Sequence, residues 1–117
     1  MIQKLTARNF NLQSLSFQTT PSLNKKHLSV LLVKANWCGY CTKYLPLFKS
    51  LSERYKSVNF VFVEEEENKY LLNQWANLVN PKFTIKGFPM VILYDISGHP
   101  IQEIDRDQLE TYLRSMI

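Results

Sequence analysis

Continuous apolar runs along the chain predict β-strands. The run Val30-Leu31-Leu32-Val33, at the centre of residues 27–35, is typical of a strand that is buried on both faces. The turn signal Ser97-Gly98-His99-Pro100 predicts a hairpin between the last two strands. The other predicted strands cover residues 2–6, 58–63, 90–94 and 101–104. We therefore expect one sheet in which residues 27–35 form a central strand.

Three other stretches have apolar residues at three- to four-residue spacing, which predicts amphipathic helices. The first covers residues 39–55 and contains Pro46, where we expect a kink. The second covers residues 67–79 and is expected to end at residues 80–81. The third follows Asp105, which is predicted to be its N-cap. Strands and helices thus alternate, which favours the α/β class.

The composition is that of an ordinary globular protein. The 117 residues are 45% hydrophobic, 13% aromatic and 21% charged, which excludes a disordered or collagen-like chain. Because domains commonly have roughly 100–150 residues, we expect a single domain over residues 1–117.

Charge is unevenly distributed along the chain. The net charge is +4, with nine Lys/Arg and one acid in residues 1–63 and five Lys/Arg and nine acids in residues 64–117. The basic residues of the first part are scattered, so we interpret them as solvated surface and expect no nucleic-acid partner. The run Glu64-Glu65-Glu66-Glu67 predicts a strand-to-helix junction, since carboxylates suit the first turn of a helix.

No stretch of the chain predicts membrane insertion. The longest apolar run, residues 90–94, is far shorter than the roughly 18 residues that cross a bilayer. Residues 1–8 lack the apolar core of a secretory signal, so the sequence favours a cytoplasmic location without a membrane partner. Ten lysines against four arginines favour an origin in an AT-rich genome, such as that of a large DNA virus.

Cys38 and Cys41 are the two cysteines of the chain, and two residues separate them. A structural disulfide usually closes a longer loop, whereas this spacing suits reversible exchange, in which one thiolate attacks and the other releases the mixed disulfide. The alternative is half of a zinc site, but there is no second cysteine pair, and His27 and His99 lack metal-motif spacing. We therefore predict a redox-active dithiol with no metal and no cofactor.

Three features of the sequence together resemble the thioredoxin family. They are Trp37-Cys38-Gly39-Tyr40-Cys41, then Pro46 five residues later, and Gly87-Phe88-Pro89 further on. The resemblance covers most of the chain and is strongest over residues 30–94. It implies a thioredoxin fold of the α/β class, with a central mixed sheet of four to five strands and helices on both faces. It also implies a cis peptide bond between Phe88 and Pro89.

The position of the cysteines at the start of a predicted helix gives them different roles. Unpaired amides and the helix dipole favour a thiolate at Cys38, which we predict to be the solvent-accessible attacking nucleophile. Cys41 lies one turn further into the helix and is predicted to be the shielded, resolving thiol. The predicted catalytic residues are therefore Cys38 and Cys41.

Five further residues are candidates for substrate binding. The resemblance implies that the backbone of Phe88 faces the cysteines and pairs with an extended substrate peptide. Trp37 and Phe88 would supply an apolar rim, with packing in the core as the alternative, more so for Phe88 than for Trp37. The candidate binding residues are Trp37, Gly39, Tyr40, Phe88 and Pro89.

The sequence departs from the family pattern at three places. Leu32 stands where thioredoxins and disulfide isomerases have a buried Asp or Glu that assists proton transfer from the resolving thiol. Tyr40 stands where reducing thioredoxins have Pro and isomerases have His. The segment between Cys41 and Pro89 is longer than in small thioredoxins, with residues 64–81 accounting for the excess, and this excess is a candidate partner surface.

These observations predict a thioredoxin-like protein-disulfide oxidoreductase that reduces protein disulfides through a Cys38–Cys41 dithiol/disulfide cycle. The expected partners are disulfide-containing proteins and an external reductant, such as a thioredoxin reductase or a glutathione system. Disulfide isomerase or oxidase activity is one alternative. A binding module on a thioredoxin scaffold with weak redox activity is another, for which Leu32 is the best argument.

Overall fold

The computed structural model describes residues 2–18, 23–76 and 87–116, with the backbone alone for residues 74–76. Within these ranges the chain forms five strands and three α-helices, together with three short 3-10 turns. In chain order the strands and α-helices are β1 Gln3–Lys4, β2 Leu28–Lys34, α1 Gly39–Arg54, β3 Val58–Glu64, α2 Lys69–Ala76, β4 Met90–Tyr94, β5 Pro100–Ile104 and α3 Leu109–Met116. In the same ranges no helix is both long and apolar enough to cross a membrane.

The strands form one mixed sheet in the order β1-β3-β2-β4-β5. The first three strands along the chain run parallel to one another, β4 is antiparallel to β2, and β5 is antiparallel to β4. Strand β2 lies at the centre, where Leu31 faces Val61 on one side and Ile92 on the other. The expected mixed sheet of four to five strands is therefore confirmed, with β2 as the predicted central strand.

Helices cover both faces of this sheet, as the sequence predicts. On one face Leu31 and Val33 pack with Leu71 of α2 and with apolar residues of the N-terminal segment. On the other face Leu32 packs with side chains of α1 and α3, such as Phe48. Because both faces are covered, β2, β3 and β4 have nearly continuous apolar sequences instead of alternating ones.

Residues 7–18, which lie in none of the predicted strands and helices, pack closely against the sheet. After a 3-10 turn at Ala7–Asn9, Phe10 forms an isolated antiparallel bridge with Phe17. The ring of Phe17 stacks on that of Tyr94 with 4.0 Å between centroids. The Tyr94 hydroxyl donates to the carbonyl oxygen of Leu15 at 2.7 Å. Side-chain and backbone contacts to β4 therefore hold a segment that lacks periodicity.

Two helix starts differ in detail from the prediction. The acidic run is a junction as expected, but Glu65–Glu67 form a 3-10 turn, and α2 begins only at Lys69. Asp105 does act as a cap, yet it caps the 3-10 turn Arg106–Gln108 that precedes α3, by accepting from the Asp107 N–H at 2.9 Å. The predicted helix end at residues 80–81 lies outside the described residues, as does the part of the predicted extra length that covers residues 77–81.

We expect Tyr94→Phe to lower the free energy of unfolding by about 1–3 kcal/mol, because it leaves the buried Leu15 carbonyl without the Tyr94 donor. Burial raises the pKa of Tyr94, so its hydroxyl stays protonated and remains a donor in ordinary buffers. Tyr70→Phe is the matched control, since Tyr70 is exposed. Urea unfolding of both variants measures the difference, and equal losses would contradict this role for the Tyr94 hydroxyl.

Candidate active site

The chain leaves the central strand and enters α1 through a short loop that carries Cys38. The backbone of Cys38 is extended, with φ −88° and ψ 115°, which makes it the N-cap of α1. Its N–H donates to the Ala35 carbonyl at 3.1 Å, and its own carbonyl accepts from the Thr42 N–H at 3.2 Å. The strand thus places Cys38 at the carboxyl end of β2 and at the positive end of the α1 dipole.

The Cys38 sulfur takes the capping position itself. Its Sγ accepts a hydrogen bond from the Cys41 N–H at 3.2 Å. Its thiol also lies 3.6 Å from the carbonyl oxygen of Phe88, to which it can donate. The amide donor aimed at Sγ suits the nucleophile that the sequence predicts, whereas the contact with the Phe88 carbonyl is one that the protonated thiol makes.

Both thiols are free in the structure and both are buried. Cys38 retains 6% of its surface and Cys41 retains 2%, because they pack with Ala35 and with the Phe88 side chain. Cys38 is therefore less exposed to solvent than predicted. It is still the more exposed of the two cysteines, as predicted. Attack by Cys38 needs the substrate disulfide to approach along the small exposed face of its sulfur.

The environment of Cys41 disfavours its thiolate. Burial, followed by the hydrogen bond to Cys38, raises the pKa of Cys41 to about 11. The charge of Cys38 raises that pKa further, whereas the Ala35 backbone and the Lys34 charge lower it. Cys41 is therefore a thiol near neutral pH and must lose its proton before it can attack.

The segment before β4 faces the cysteines, as the resemblance implies. The Phe88–Pro89 peptide bond is cis, Pro89 is buried and Phe88 is half-buried. The Phe88 carbonyl is close to the Cys38 thiol and also accepts from Arg106 Nη1 at 3.4 Å. One backbone oxygen thus connects the cysteine loop, the start of β4 and the turn before α3.

An aromatic rim surrounds this oxygen. Trp37 is 66% exposed, and its ring meets that of Phe88 edge to face with 5.7 Å between centroids. Tyr40 is 67% exposed, and the Arg106 guanidinium lies 5.1 Å from its ring centroid. Gly39 is exposed between them, with open space where a Cβ would lie. The alternative that Trp37 packs in the core is therefore wrong. Phe88 packs against the core and also forms part of the rim.

Arg106 is a site residue that the sequence reasoning missed. It lies in the turn between β5 and α3 and is close to the cysteines only because the sheet brings that turn beside Phe88. No local motif distinguishes it from other surface arginines.

The ion pair Lys34–Glu64 was missed as well. Lys34 Nζ lies 2.7 Å from Glu64 Oε2, and the two side chains are 12% and 3% exposed. The interpretation of Lys34 as solvated surface is therefore wrong, because β3 places a carboxylate directly opposite it. The available signal was a lysine near the end of one predicted strand and a glutamate directly after another.

The position of the family's buried acid is apolar in the structure. Leu32 is completely buried among side chains of α1, α3 and the neighbouring strands.

Among the residues that the structure describes, no three His, Cys, Asp or Glu side chains cluster closely enough to hold a metal ion.

Comparison with known proteins agrees with this geometry. The sequence model of the thioredoxin family matches residues 5–117. Thioredoxin H1 of Arabidopsis thaliana is 34% identical over 58 residues, which are 50% of this chain and 51% of that protein. Thioredoxin H2-1 of Oryza sativa subsp. japonica is 26% identical over 96 residues, covering 80% and 63% respectively. The chain thus spans between about half and two thirds of the length of these two relatives.

Solved structures have the same fold. The reduced thioredoxin pre-protein of Schistosoma mansoni superposes with a TM-score of 0.68 at 24% identity, covering 99% of this chain and 98% of that one. The thioredoxin of Fasciola hepatica gives a TM-score of 0.62 at 17% identity, with 77% and 81% covered. The match of the family model over nearly the whole length, together with this shared fold, shows that the chain belongs to the thioredoxin family.

Proposed function

We propose that this protein is a thiol–disulfide oxidoreductase that reduces protein disulfides through Cys38 and Cys41. The observation that carries the proposal is the capping geometry, in which Cys38 Sγ accepts the Cys41 N–H at the start of α1. The membership of the thioredoxin family supports it, because an exchange reaction needs such a pair of neighbouring, unequal thiols.

In the first step the Cys38 thiolate attacks one sulfur of the substrate disulfide. A bond forms between Cys38 Sγ and that sulfur, the substrate S–S bond breaks, and the leaving thiolate takes a proton from water. The Cys41 N–H and the dipole of α1 support the negative charge on Sγ before the attack.

In the second step Cys41 loses its proton to water and attacks Cys38 Sγ. The Cys38–Cys41 disulfide forms, the bond between Cys38 and the substrate breaks, and the second substrate thiolate leaves and is protonated. The substrate disulfide gains two electrons and the cysteine pair loses two, so an external dithiol or glutathione must reduce the pair again. Burial is the largest cause of the raised pKa of Cys41 and persists in the mixed disulfide, so the deprotonation of Cys41 opposes this step.

The rim supports a binding mode for the substrate. The exposed rings of Trp37 and Tyr40 offer apolar surface on both sides of Cys38. An extended substrate peptide would pair with the Phe88 backbone, where Arg106 Nη1 already donates to the carbonyl oxygen. A peptide N–H would therefore share this oxygen with Arg106 or replace Arg106 as its donor. Gly39 leaves room for the peptide, because open space lies where its Cβ would be. Pro89, which follows Phe88, is buried and holds the Phe88 backbone in place.

Two alternatives have different consequences. Isomerase or oxidase activity would use the same cysteines with a less reducing couple. A binding module with weak redox activity is favoured by the burial of Leu32, since no carboxylate at that position assists Cys41. For the reductase we propose a cytoplasmic setting with a thioredoxin reductase or glutathione as electron donor, because a dithiol stays reduced only in a reducing compartment.

Iodoacetamide is expected to label Cys38 well before Cys41 in the reduced protein near neutral pH, since alkylation requires a thiolate and access. Cys41 is 2% exposed and its pKa is raised to about 11, so its labelling is expected to increase as the pH rises toward that value. Mass spectrometry of the labelled peptides measures both rates, with unfolded protein as the control. Equal or reversed labelling in the folded protein would overturn the assignment of roles.

Cys41→Ser is expected to accumulate mixed disulfides with protein substrates, because the resolving thiol is missing, whereas Cys38→Ser is expected to form none. Non-reducing electrophoresis after exposure to an oxidised protein such as insulin detects these adducts. With dithiothreitol as electron donor, the unmodified protein is expected to accelerate the reduction of insulin. Neither variant is expected to do so. A binding module would show no acceleration of insulin reduction in any of the three.

The reduction potential of the Cys38–Cys41 pair is expected at about −200 to −250 mV, between roughly −270 mV for thioredoxin and −180 mV for protein disulfide isomerase. Tyr40 lacks the rigidity of proline, and no imidazole lies between the cysteines to favour the thiolate form. Equilibration with glutathione buffers measures this potential. A value above about −150 mV would indicate an oxidase and contradict the reductase proposal.

A further inference from the structure

Arg106 brings a positive charge to the edge of the site, close to the attacking sulfur. Its Nη1 donates to the Phe88 carbonyl oxygen at 3.4 Å, and the Cys38 thiol lies 3.6 Å from the same oxygen. Its guanidinium lies 5.1 Å from the centroid of the exposed Tyr40 ring. A peptide that pairs with the Phe88 backbone to reach Cys38 would therefore lie beside this guanidinium.

The backbone of Arg106 is held in place by the elements around it. Tyr44 of α1 donates its hydroxyl to the Arg106 carbonyl oxygen at 2.9 Å. Burial raises the pKa of Tyr44, so this hydroxyl stays protonated and remains a donor. The side chain of Asp105 caps the turn by accepting from the Asp107 N–H at 2.9 Å. The turn thus presents Arg106 from a fixed backbone position, which reduces the ordering that a contact with a substrate would require.

The charge of Arg106 has no carboxylate partner in the part of the chain that the structure describes. The ion pairs found there join other residues, and Asp105 and Asp107, which flank Arg106 in the chain, form none with it. These two carboxylates weaken its long-range field, so recognition by Arg106 depends on direct contact. A guanidinium has several N–H donors, and among the described residues the Phe88 carbonyl is its one hydrogen-bond acceptor. The half-buried side chain therefore keeps donors for a further acceptor.

We propose that Arg106 selects disulfide substrates in which Asp or Glu lies close in sequence to the attacked cysteine. The inference rests on the proposed function and names its substrate class. A hydrogen bond between a guanidinium and a carboxylate is stronger than one between a guanidinium and a neutral carbonyl. A substrate carboxylate would therefore draw Arg106 away from the Phe88 oxygen and leave that oxygen to the peptide N–H.

This change of partners makes the recognition selective. The N–H of a neutral peptide must share the Phe88 oxygen with Arg106, whereas a peptide with a carboxylate also offers Arg106 an acceptor of its own. A peptide with lysine at the same position brings a cation that Arg106 repels. Arg106 is therefore expected to favour acidic over neutral substrates, and neutral over basic ones.

The test measures the first exchange step with three peptides that differ only beside the cysteine. Each has blocked ends, has Glu, Gln or Lys on both sides of its cysteine, and carries 2-thiopyridine on that cysteine as a disulfide. Attack by Cys38 forms a bond to the peptide sulfur and breaks the S–S bond to the pyridyl group, which leaves as 2-thiopyridone after taking a proton from water. Stopped flow measures its absorbance. Each rate constant is divided by that of the same peptide with 2-mercaptoethanol, which removes differences in intrinsic reactivity.

The unmodified protein is expected to react about two- to fivefold faster with the Glu peptide than with the Gln peptide, because partly exposed charge pairs contribute modestly. High salt is expected to reduce this preference. Arg106→Gln is expected to lose it, and Arg106→Glu is expected to favour the Lys peptide, a reversal that a purely structural role of Arg106 would not produce. Arg114→Gln removes an exposed arginine of α3 and, as the matched control, is expected to keep the preference.

Circular dichroism and thermal unfolding establish that the variants are folded. Equal rates for the three peptides in the unmodified protein would overturn the role of Arg106, as would a preference for the Glu peptide that persists in Arg106→Gln. If Cys38→Ser reacts with all three peptides as fast as the unmodified protein, the proposed function is wrong instead, because Cys38 is then not the attacking thiol.

Discussion

The burial of β2 on both faces is the constraint on which the rest of the structure depends. This strand pairs with β3 on one side and with β4 on the other, and its side chains reach both core layers. Because it has no exposed face, its direction and register are strongly fixed. The loop that follows it therefore emerges at one defined place, between the end of β3 and the start of β4, where Cys38 and the Phe88 carbonyl meet.

The start of α1 converts this placement into a chemical difference between two identical side chains. Cys38 is the N-cap, so its sulfur lies among amides that have no partner inside the helix and accepts the Cys41 N–H. Cys41 lies within the first turn and faces the core, where burial raises its pKa to about 11. One turn of helix thus separates a sulfur suited to carry charge from one that resists it, which is the asymmetry that ordered exchange requires.

The sequence predicts features that depend on local patterns and misses those that depend on register. Continuous apolar runs place β2, β3 and β4 within a residue or two, because full burial selects the same residue types along a whole strand. The cysteine spacing and the helix period likewise place Cys38 at the start of α1. The Lys34–Glu64 pair depends on which residues of β2 and β3 lie opposite each other, and the Arg106 contact depends on how the sheet positions a distant turn. Neither relation has a signal in a single stretch of sequence.

The location of charge along β2 follows from the cost of burying a charge. Position 32 lies inside a layer formed by α1, α3 and the sheet, where a carboxylate would have no hydrogen-bond donors and would be poorly solvated. Two residues later, on the same face, the strand reaches the end of the sheet. There Lys34 and Glu64 form an ion pair, both hydrogen-bond with Asn36, and both keep a small exposed surface. Burying a charge at the strand end therefore costs less free energy than burying one at position 32. The positive charge of Lys34 opposes the effect of burial on the pKa of Cys41, but an ammonium group cannot accept the proton that Cys41 releases.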